Sequence, residues 1–598
     1  MVIVFIIDNY KSLTNGTTMT AHRFALKLRE QGHEVRIVTN DMIGQDIYTL
    51  KTNYIPIVSR VAAKQNISFA KADKKIIKQA LEGADVVHAL MPFKASRVAI
   101  KIAKKMGIPT TSAFHVQPEN IVYGAGLKKF SSFFSKIIYK KFKRFFKKTQ
   151  HVHCPSNFIA QELKKNKYPN QFHVISNGID DSFIYKEKSI VSDKYELLMI
   201  GRFAPEKRQD IILKAISLSK YKDRIHLTLA GSGPTKNKLE KLAKKLNIDV
   251  TFGFYSKEDL IKTIQNQDLY IHAADVEIEA ISCIEAIACG KVPVIADSKK
   301  SATPQFALDE RSLFKQRNPK DLKDKIEYWL ENEEERKNME VLYALSSKKY
   351  TLTESVTKFE SMLESAIFDH KSNKLAKTKL GKRIKKTVTK GKVFKLCILI
   401  FYYTVFPILM LYNKFCLKTK IKNKRNLKKV KGGAVLISNH VHTLDSVMSG
   451  LVAFPRKVLF TGMKYNLTRP IIGPIVRLFG TVPTPQSILE NRIFFNEISK
   501  KARQGKYVHF FPEGELVKKD EKLREFKRGA FKVAVDSSVP IIPIRINFQD
   551  KKALFGNKIK KQITLNVGKP MFPDYSLNAK EALEKLKLES EEAMNDLI

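Results

Sequence analysis

Cysteine is scarce in this chain of 598 residues, and the five present (Cys154, Cys283, Cys289, Cys397 and Cys416) lie far apart with no Cys-x-x-Cys. That spacing excludes a disulfide framework and offers no zinc-ligand set, so no metal is expected. Acid is the second shortage. Lys and Arg number 107 against 59 Asp and Glu, a formal charge of +48, and no acidic residue occurs between Asp369 and Asp445. Such an excess selects anionic partners: lipid surfaces, nucleotides or nucleic acid. No DNA- or RNA-recognition motif accompanies the charge, which argues against nucleic acid. The opening Met1–Asp8 runs straight into a strand pattern with no charged lead and no cleavage site, so a cytoplasmic chain is expected. The length predicts two to four domains rather than one core.

The acid-free stretch has an apolar centre. A basic run (Lys374, Lys377, Lys379, Lys382, Arg383, Lys385, Lys386) precedes the block Leu396–Tyr412, and a second (Lys418, Lys420, Lys422, Lys424, Arg425, Lys428, Lys429, Lys431) follows it. Lysines flanking an apolar helix are attracted to anionic lipid by about 1 kcal/mol per charge near the surface. The block between Lys395 and Asn413 is short for a span of roughly 30 Å, and Pro407 interrupts it. Both flanks are equally basic, which keeps both ends on one side. A re-entrant or interfacial element, peripheral or monotopic on the cytoplasmic face of the membrane, is therefore expected rather than a single span.

Before this junction the chain alternates strand and helix. Val2–Ile7 is a fully apolar run of the buried parallel type, followed by the turn Asn15-Gly16-Thr17-Thr18, helical periodicity over Ala21–Glu30, and the strand Glu34–Val38. Gly16 thus stands where a helix start meets phosphate or sugar hydroxyls. A second series begins with Glu196–Ile200 and includes Gly201-Arg-Phe-Ala-Pro-Glu-Lys207 and Ala230-Gly231-Ser-Gly233. Two successive doubly wound sheets leave a cleft suited to a nucleotide. Between them, Gly126–Lys148 places Leu127, Phe130, Phe134, Ile137, Ile138, Phe142 and Phe145 on one helical face and Lys129, Lys136, Lys140, Lys143 and Lys147 on the other. Aromatic and aliphatic residues opposite lysines describe an interfacial helix, with Lys136, Lys140, Lys143, Phe134 and Phe142 as membrane contacts.

The pieces Val174-Ile-Ser-Asn-Gly-Ile-Asp180, Gly201–Lys207, Ala230–Gly233 and Glu277-Ile-Glu-Ala-Ile-Ser-Cys-Ile-Glu285, in this order, resemble a two-Rossmann-domain (GT-B) glycosyltransferase of family 4, over residues 1 to about 368. The resemblance implies that Arg202 and Lys207 grip the donor pyrophosphate, with Gly16 and Gly231 also at the nucleotide sugar. It implies that Glu285 binds the ribose hydroxyls, Glu277 faces the donor sugar, and His115 lies near the reacting sugar. Retention of configuration without an obligatory metal or other cofactor is implied too. Where the family has Gly-Phe-Gly after its first glutamate, this chain has Ile278-Glu279-Ala280, which leaves the sugar open; a UDP-sugar is expected. With the basic helix, the likeness is to membrane-bound glucosyltransferases that act on diacylglycerol.

After Gly432-Gly433, the strand Ala434–Ser438 leads into Asn439-His440-Val-His442-Thr-Leu-Asp445. A carboxylate across that turn can fix the imidazole tautomer and raise its basicity, as removal of a hydroxyl proton requires. Farther on stand Tyr507-Val-His-Phe-Phe-Pro-Glu513-Gly514, Phe526-Lys527-Arg528-Gly-Ala530 and Val539–Ile544. Together these resemble the glycerolipid acyltransferases typified by 1-acylglycerol-3-phosphate acyltransferase, over about 390 to 575. The resemblance implies His440 as base, Asp445 as its orienter, Glu513 as an acceptor ligand, and Lys464, Gly514, Lys527 and Arg528 around the acceptor or its anion. His442 is a neighbour. The segment Gly480-Thr-Val-Pro-Thr-Pro485 lacks the arginine that family carries there, which brings a neutral glycolipid or lysolipid into view as acceptor.

The expected fold is α/β: two Rossmann-like domains (1–180 and 181–370), a basic linker with an apolar membrane-contact element (371–432), and a membrane-associated glycerolipid acyltransferase domain (433–598). The expected function is glycosyl transfer from a nucleotide sugar to a lipid, plus acyl transfer from acyl-CoA or acyl carrier protein to a glycerolipid. Two alternatives stand beside it. The acyltransferase domain could decorate the first domain's glycolipid, or a basic membrane or nucleic-acid binding protein could retain decayed catalytic folds.

Overall fold

The computed structural model describes the chain apart from residues 12–15, 55, 57–58, 60–67, 125–130, 190–191, 376–381, 383–390, 431, 518–521, 553–558, 576, 578 and 598. Asn15, Leu127, Lys129, Phe130, Lys431 and most of the first basic run lie outside the described residues. The chain divides into two compact units, 1–168 with 172–366, and 169–171 with 367–598.

The first unit holds two sheets. One has seven strands in the spatial order Ile47–Thr49, Glu34–Thr39, Val2–Ile6, Val86–Ala89, Thr110–Ala113, His151–Cys154, Gln171–Val174. The other has six: Val250–Gly253, Ile225–Ala230, Tyr195–Ile200, Leu269–His272, Pro293–Asp297, Leu313–Lys315, all parallel. Strands covered on both faces need apolar residues at every position, which is why Val2–Ile6 and Leu197–Ile200 read as unbroken apolar runs. In the second sheet the order reverses between Tyr195–Ile200 and Leu269–His272. The loops leaving those two neighbouring strands carry Arg202–Lys207 and Asp275–Glu279, so the topology itself opens a crevice between them. Three helices of this unit shape its crevice or its surface: α1 (Gly16–Glu30), α2 (Ser131–Phe146) and α3 (Ile281–Ala288).

The second unit is built on a seven-stranded sheet ordered Lys420–Lys422, Ile559–Val567, Ile541–Lys552, Ala434–Ser438, Tyr507–Phe510, Val458–Gly462, Val482–Pro483. All neighbours are parallel except Ile541–Lys552 with Ile559–Val567. Helix α4 (Lys392–Phe415) precedes the sheet, and α5 (Asp445–Ala453) follows its central strand. Part of the expected linker is therefore structure: α4 and the strand Lys420–Lys422 pack into this unit.

Helix α4 extends beyond the apolar block at both ends. It has 24 residues and runs through Pro407; its apolar part, Leu396–Phe415, has 20 residues, roughly 30 Å, so shortness no longer argues against a span. By length and composition it is the one helix among the described residues able to cross a bilayer. One stripe of it is nevertheless covered. Ile398, Tyr402, Phe406 and Asn413 are buried, and Phe406 packs so closely on α5 that a Cβ at Gly450 would lie 2.7 Å from its ring. The other faces expose Leu396, Leu399, Ile400, Tyr403, Ile408 and Leu411.

Helix α2 corrects the expected membrane face in part. Its buried stripe is Ser131, Ser135, Tyr139, Phe145 and Phe146, and Phe142 packs against the same core. Phe142 and Phe145 are thus core residues, because the neighbouring segment with Tyr168 and the strand His151–Cys154 covers that side. Lys143 is also occupied: its ammonium donates to the Asn166 carbonyl at 2.9 Å. What faces outward is Phe133 (63% exposed), Ile137 (38%), Lys136, Lys140, Lys141 and Arg144, with Phe134 half-buried.

Candidate active sites

In the first unit the glycine positions build the crevice. A Cβ at Gly231 would overlap the Gly201 carbonyl, and one at Gly233 would overlap Phe203 O, so only glycine lets the two loops clasp. Gly201 N donates to Ala230 O at 2.9 Å and Phe203 N to Ser232 O at 2.8 Å, closing them on each other. Lys207 reaches from this clasp and pairs with Glu277. His272 Nε2 stands 3.3 Å from the same carboxylate oxygen, off hydrogen-bond geometry. Burial alone would raise the Glu277 carboxyl, but Lys207 and His272 outweigh it and hold it at about 2. Arg202, the other expected phosphate cation, is half-exposed and pairs with Glu206 at 2.8 Å.

Two helix N-termini converge here. Gly16 is the first residue of α1, and a Cβ on it would lie 3.8 Å from Ile281 Cδ1, at the first residue of α3. Positive dipole ends facing one crevice suit an anionic ligand. Along α3 lies Glu285, and sequence reasoning missed its partner: Arg23 Nη2 approaches it at 3.4 Å while Nη1 donates to Gly178 O at 2.9 Å. Burial raises the Glu285 carboxyl and Arg23 opposes that rise. No local pattern marks Arg23, which is one basic residue of a mixed helix.

The departure Ile278-Glu279-Ala280 has a structural role. Ser156 Oγ donates to Ile278 O at 2.6 Å, and the Ile278 side chain packs on the core of the amino-terminal sheet. Glu279 is buried and accepts from Asn177 N at 3.0 and 3.2 Å. Burial pushes its carboxyl up to about 7 against the hydrogen bonds from Ser176 and Asn177. The segment thus joins the two Rossmann halves. Ala280 pays for it with φ +70°, a left-handed position that costs a residue with a Cβ about 1 kcal/mol.

His115 lies buried, edge-on to His153 at 4.9 Å between ring centroids. His153 Nε2 donates to Ile175 O at 2.8 Å, which fixes its tautomer. Burial, and secondarily the His153 imidazole beside it, disfavour a protonated His115, whose Nε2 has no partner among the described residues. It is a neutral ring with a free nitrogen.

In the second unit, His440 and Glu513 come from the carboxyl ends of adjacent strands, Ala434–Ser438 and Tyr507–Phe510, in register at Ile437 and Phe510. His440 Nδ1 lies 3.0 Å from Asp445 Oδ2, which also accepts from Val441 N at 2.6 Å and His442 N at 2.7 Å. Asp445, fully buried at the first residue of α5, is held as an acceptor by these donors. That leaves Nε2 as the basic nitrogen. The ring is stacked on Phe511 at 3.8 Å and 13°, which fixes its plane. His442 does no such work: its Nδ1 accepts from Leu444 N at 3.1 Å within the turn.

Around this dyad the expected anion contacts separate. Lys527 is brought in, its ammonium lying over Gly514. Arg528 is not: 69% exposed, it pairs with Glu584 of the terminal helix at 2.7 Å. Lys464 is exposed at the head of the short helix Lys464–Thr468, and among the described residues nothing joins it to the dyad. A cation the sequence did not single out, Arg524, is bonded to Glu513.

Residues 14–183 match Glycosyltransferase Family 4, residues 180–341 match Glycosyl transferases group 1, and residues 418–547 match Acyltransferase. The alpha-monoglucosyldiacylglycerol synthase of Streptococcus pneumoniae is 24% identical over 310 residues, covering 48% of this chain and 69% of that protein. A chloroplastic 1-acyl-sn-glycerol-3-phosphate acyltransferase of Arabidopsis thaliana is 34% identical over 133 residues, 22% of this chain and 36% of that protein. The chain thus spans only about a third of the length of the curated acyltransferases it matches. Sucrose-phosphate synthase of Thermosynechococcus elongatus has a similar fold, with a TM-score of 0.50 at 13% identity over 61% of this chain and 98% of that one.

Proposed function

From a chain that joins glycosyltransferase domains to an acyltransferase domain, we propose an enzyme with two lipid substrates. The first unit transfers a hexosyl group from a nucleotide sugar, a UDP-sugar by preference, to a membrane lipid such as diacylglycerol. The second transfers an acyl chain from acyl-CoA or acyl carrier protein to a glycerolipid such as 1-acylglycerol-3-phosphate. The observation that carries this reading is the His440–Asp445 pair in a compact unit of its own, apart from the unit that holds Lys207, Glu277 and Glu285.

For acyl transfer, His440 Nε2 takes the acceptor hydroxyl proton as the oxygen bonds to the thioester carbonyl. The carbon–sulfur bond then breaks and the thiolate leaves with that proton. Asp445 keeps the imidazole oriented and stabilises its charged form. For glycosyl transfer, the bond from the sugar's anomeric carbon to phosphate breaks as the lipid oxygen bonds to that carbon, and the proton passes to the leaving phosphate. Arg202, Lys207 and the two helix N-termini offset the negative charge that develops. Lys207 must share itself between Glu277 and the donor when the donor binds.

Both substrates are lipids, and the surface suits an anionic membrane approached from the cytoplasmic face. Between Asp369 and Glu490 the only acidic residue is Asp445, and it is fully buried. Everything that stretch presents to solvent is therefore neutral or cationic, including the apolar faces of α4. The test is direct: purified protein, labelled nucleotide sugars and diacylglycerol vesicles, then acyl-CoA with 1-acylglycerol-3-phosphate. A labelled glycolipid and a diacylated product are expected. Hydrolysis of the nucleotide sugar with no lipid product would refute the lipid acceptor.

A further inference from the structure

A buried amide in the first unit is satisfied at one end only. Gln117 is 1% exposed and lies on the loop that leaves strand Thr110–Ala113, two residues after His115 and just ahead of the helix Pro118–Gly124. Its Nε2 donates to the Lys300 carbonyl at 3.0 Å. A carbonyl only accepts, so this contact fixes which way the amide points and leaves Oε1 as the other end. Oε1 is buried and has no hydrogen-bond partner among the described residues. An acceptor shut away from water in that state is destabilising, and a ligand that donates to it recovers the loss.

Lys300 opens a short segment that backs Glu277. Ser301 forms a parallel bridge with Glu277, and Ala302 N donates to Glu277 O at 2.9 Å. The segment is pinned from the other half as well, because Lys300 Nζ donates at 3.0 Å to Oγ of Ser131, the first residue of α2. Gln117 thus hangs by its nitrogen on the backbone that supports Glu277. Its own loop carries His115, whose Nε2 is likewise without a partner among the described residues. We infer that Gln117 Oε1 accepts a hydrogen bond from a hydroxyl of the donor hexose, which makes Gln117 a residue that selects the sugar. The inference rests on the glycosyl-transfer reading and deepens it. Glu277 already carries Lys207 on Oε1, with His272 beside the same oxygen, so its charge is shared. The Gln117 carbonyl is neutral and shared with no group among the described residues, so it responds to the presence of a hydroxyl. A site built to bond a hydroxyl rejects the analogue that lacks it, because the buried group is then left unpaired.

The experiment uses the full-length protein and whichever of UDP-glucose, UDP-galactose and UDP-N-acetylglucosamine it turns over fastest, with the monodeoxy analogues of that donor. kcat/KM is measured for transfer to diacylglycerol vesicles and for hydrolysis without lipid. In Gln117→Met, which keeps the length and loses the oxygen, the parent donor is expected to fall by about 10- to 100-fold. One monodeoxy analogue is expected to keep its wild-type value, so the penalty for that missing hydroxyl disappears in both reactions. Gln117→Glu, which keeps an acceptor oxygen and loses the amide nitrogen, is expected to retain the penalty. Each comparison is a ratio within one preparation, so loss of folded protein cancels. Equal losses for the parent donor and every analogue in Gln117→Met would overturn the inference and leave the residue a support for the loop. A penalty that disappears in transfer to lipid but persists in hydrolysis would put Oε1 on the lipid acceptor and overturn it as well. No turnover of any of the three donors would overturn the nucleotide-sugar reading, and the inference with it.

Discussion

Arg23 and Glu285 are 262 residues apart in the chain and meet at 3.4 Å, the arginine from the first sheet's opening helix and the glutamate from the second sheet's α3. The same guanidinium holds the Gly178 carbonyl, in the segment linking the two sheets. Glu285 is thus held by a residue of the opposite half.

Replacing Arg23 with Met is therefore expected to raise the KM for the nucleotide sugar by about tenfold, the scale of one lost charged hydrogen bond. Burial already raises the Glu285 carboxyl, and without Arg23 it rises further. Ribose hydroxyls donate to the ionised form, so the variant's KM should climb faster than the wild type's as pH is lowered. Parallel KM profiles would show that Arg23 does not act through Glu285.

Lys207→Met leaves Glu277 buried without its main partner, a change worth about 3 kcal/mol of stability at pH 7. In the wild type this carboxyl sits at about 2, below its ordinary 4.5. The pair's contribution is therefore present above pH 4.5 and lost as pH falls toward 2. Denaturant melts of the first unit should show the deficit shrinking between pH 7 and pH 3.

Glu279 shifts the other way, up to about 7 from 4.5. The folded chain keeps a proton that the unfolded chain releases, so this group's contribution is full below pH 4.5 and declines as pH rises to 7. Glu279→Gln keeps an oxygen to accept from Asn177 N and removes the titration. It is expected to be near-neutral at pH 4.5 and stabilising by about 2–3 kcal/mol at pH 8, read from the same melts.

His440→Ala should lower acyl transfer by about 10² to 10⁴, the usual worth of general-base assistance. Glycosyl transfer by the same preparation should keep most of its rate, because no group of the second unit is assigned to that chemistry. Loss of both activities in a variant with wild-type melting would refute two separate sites.

The outward face of α2 defines the membrane test. Lys136, Lys140 and Arg144 changed together to Glu should weaken binding to anionic vesicles, at about 1 kcal/mol per charge near the surface. Lys143→Glu alone should instead disturb folding, since that ammonium is used by the Asn166 carbonyl. Flotation with anionic and neutral vesicles, alongside thermal melts, separates the two outcomes.

What the sequence determined by itself is local. A strand buried on both faces must be apolar throughout, so Val2–Ile6, Tyr195–Ile200 and Ala434–Ser438 were legible within a residue or two. His440 and Asp445 face one another across a single turn, so their spacing was enough to pair them. Clasping loops need glycine wherever backbones touch, and Gly231 marks such a place.

Tertiary structure decided everything that joins distant strands. Periodicity says which residues of α2 and α4 share a face; which face a neighbour covers depends on the chain packed against it. That is why Phe142 and Phe145 turned inward, and why one stripe of α4 is core. Likewise, Lys207 meets Glu277 because the second sheet's order reverses between their strands, and Arg524 meets Glu513 because a loop returns beside its own strand end. Arg528, four residues beyond Arg524, faces the terminal helix instead. Charge and composition mark all of these cations alike, and only the crossing of strands and the return of loops assigns each its carboxylate.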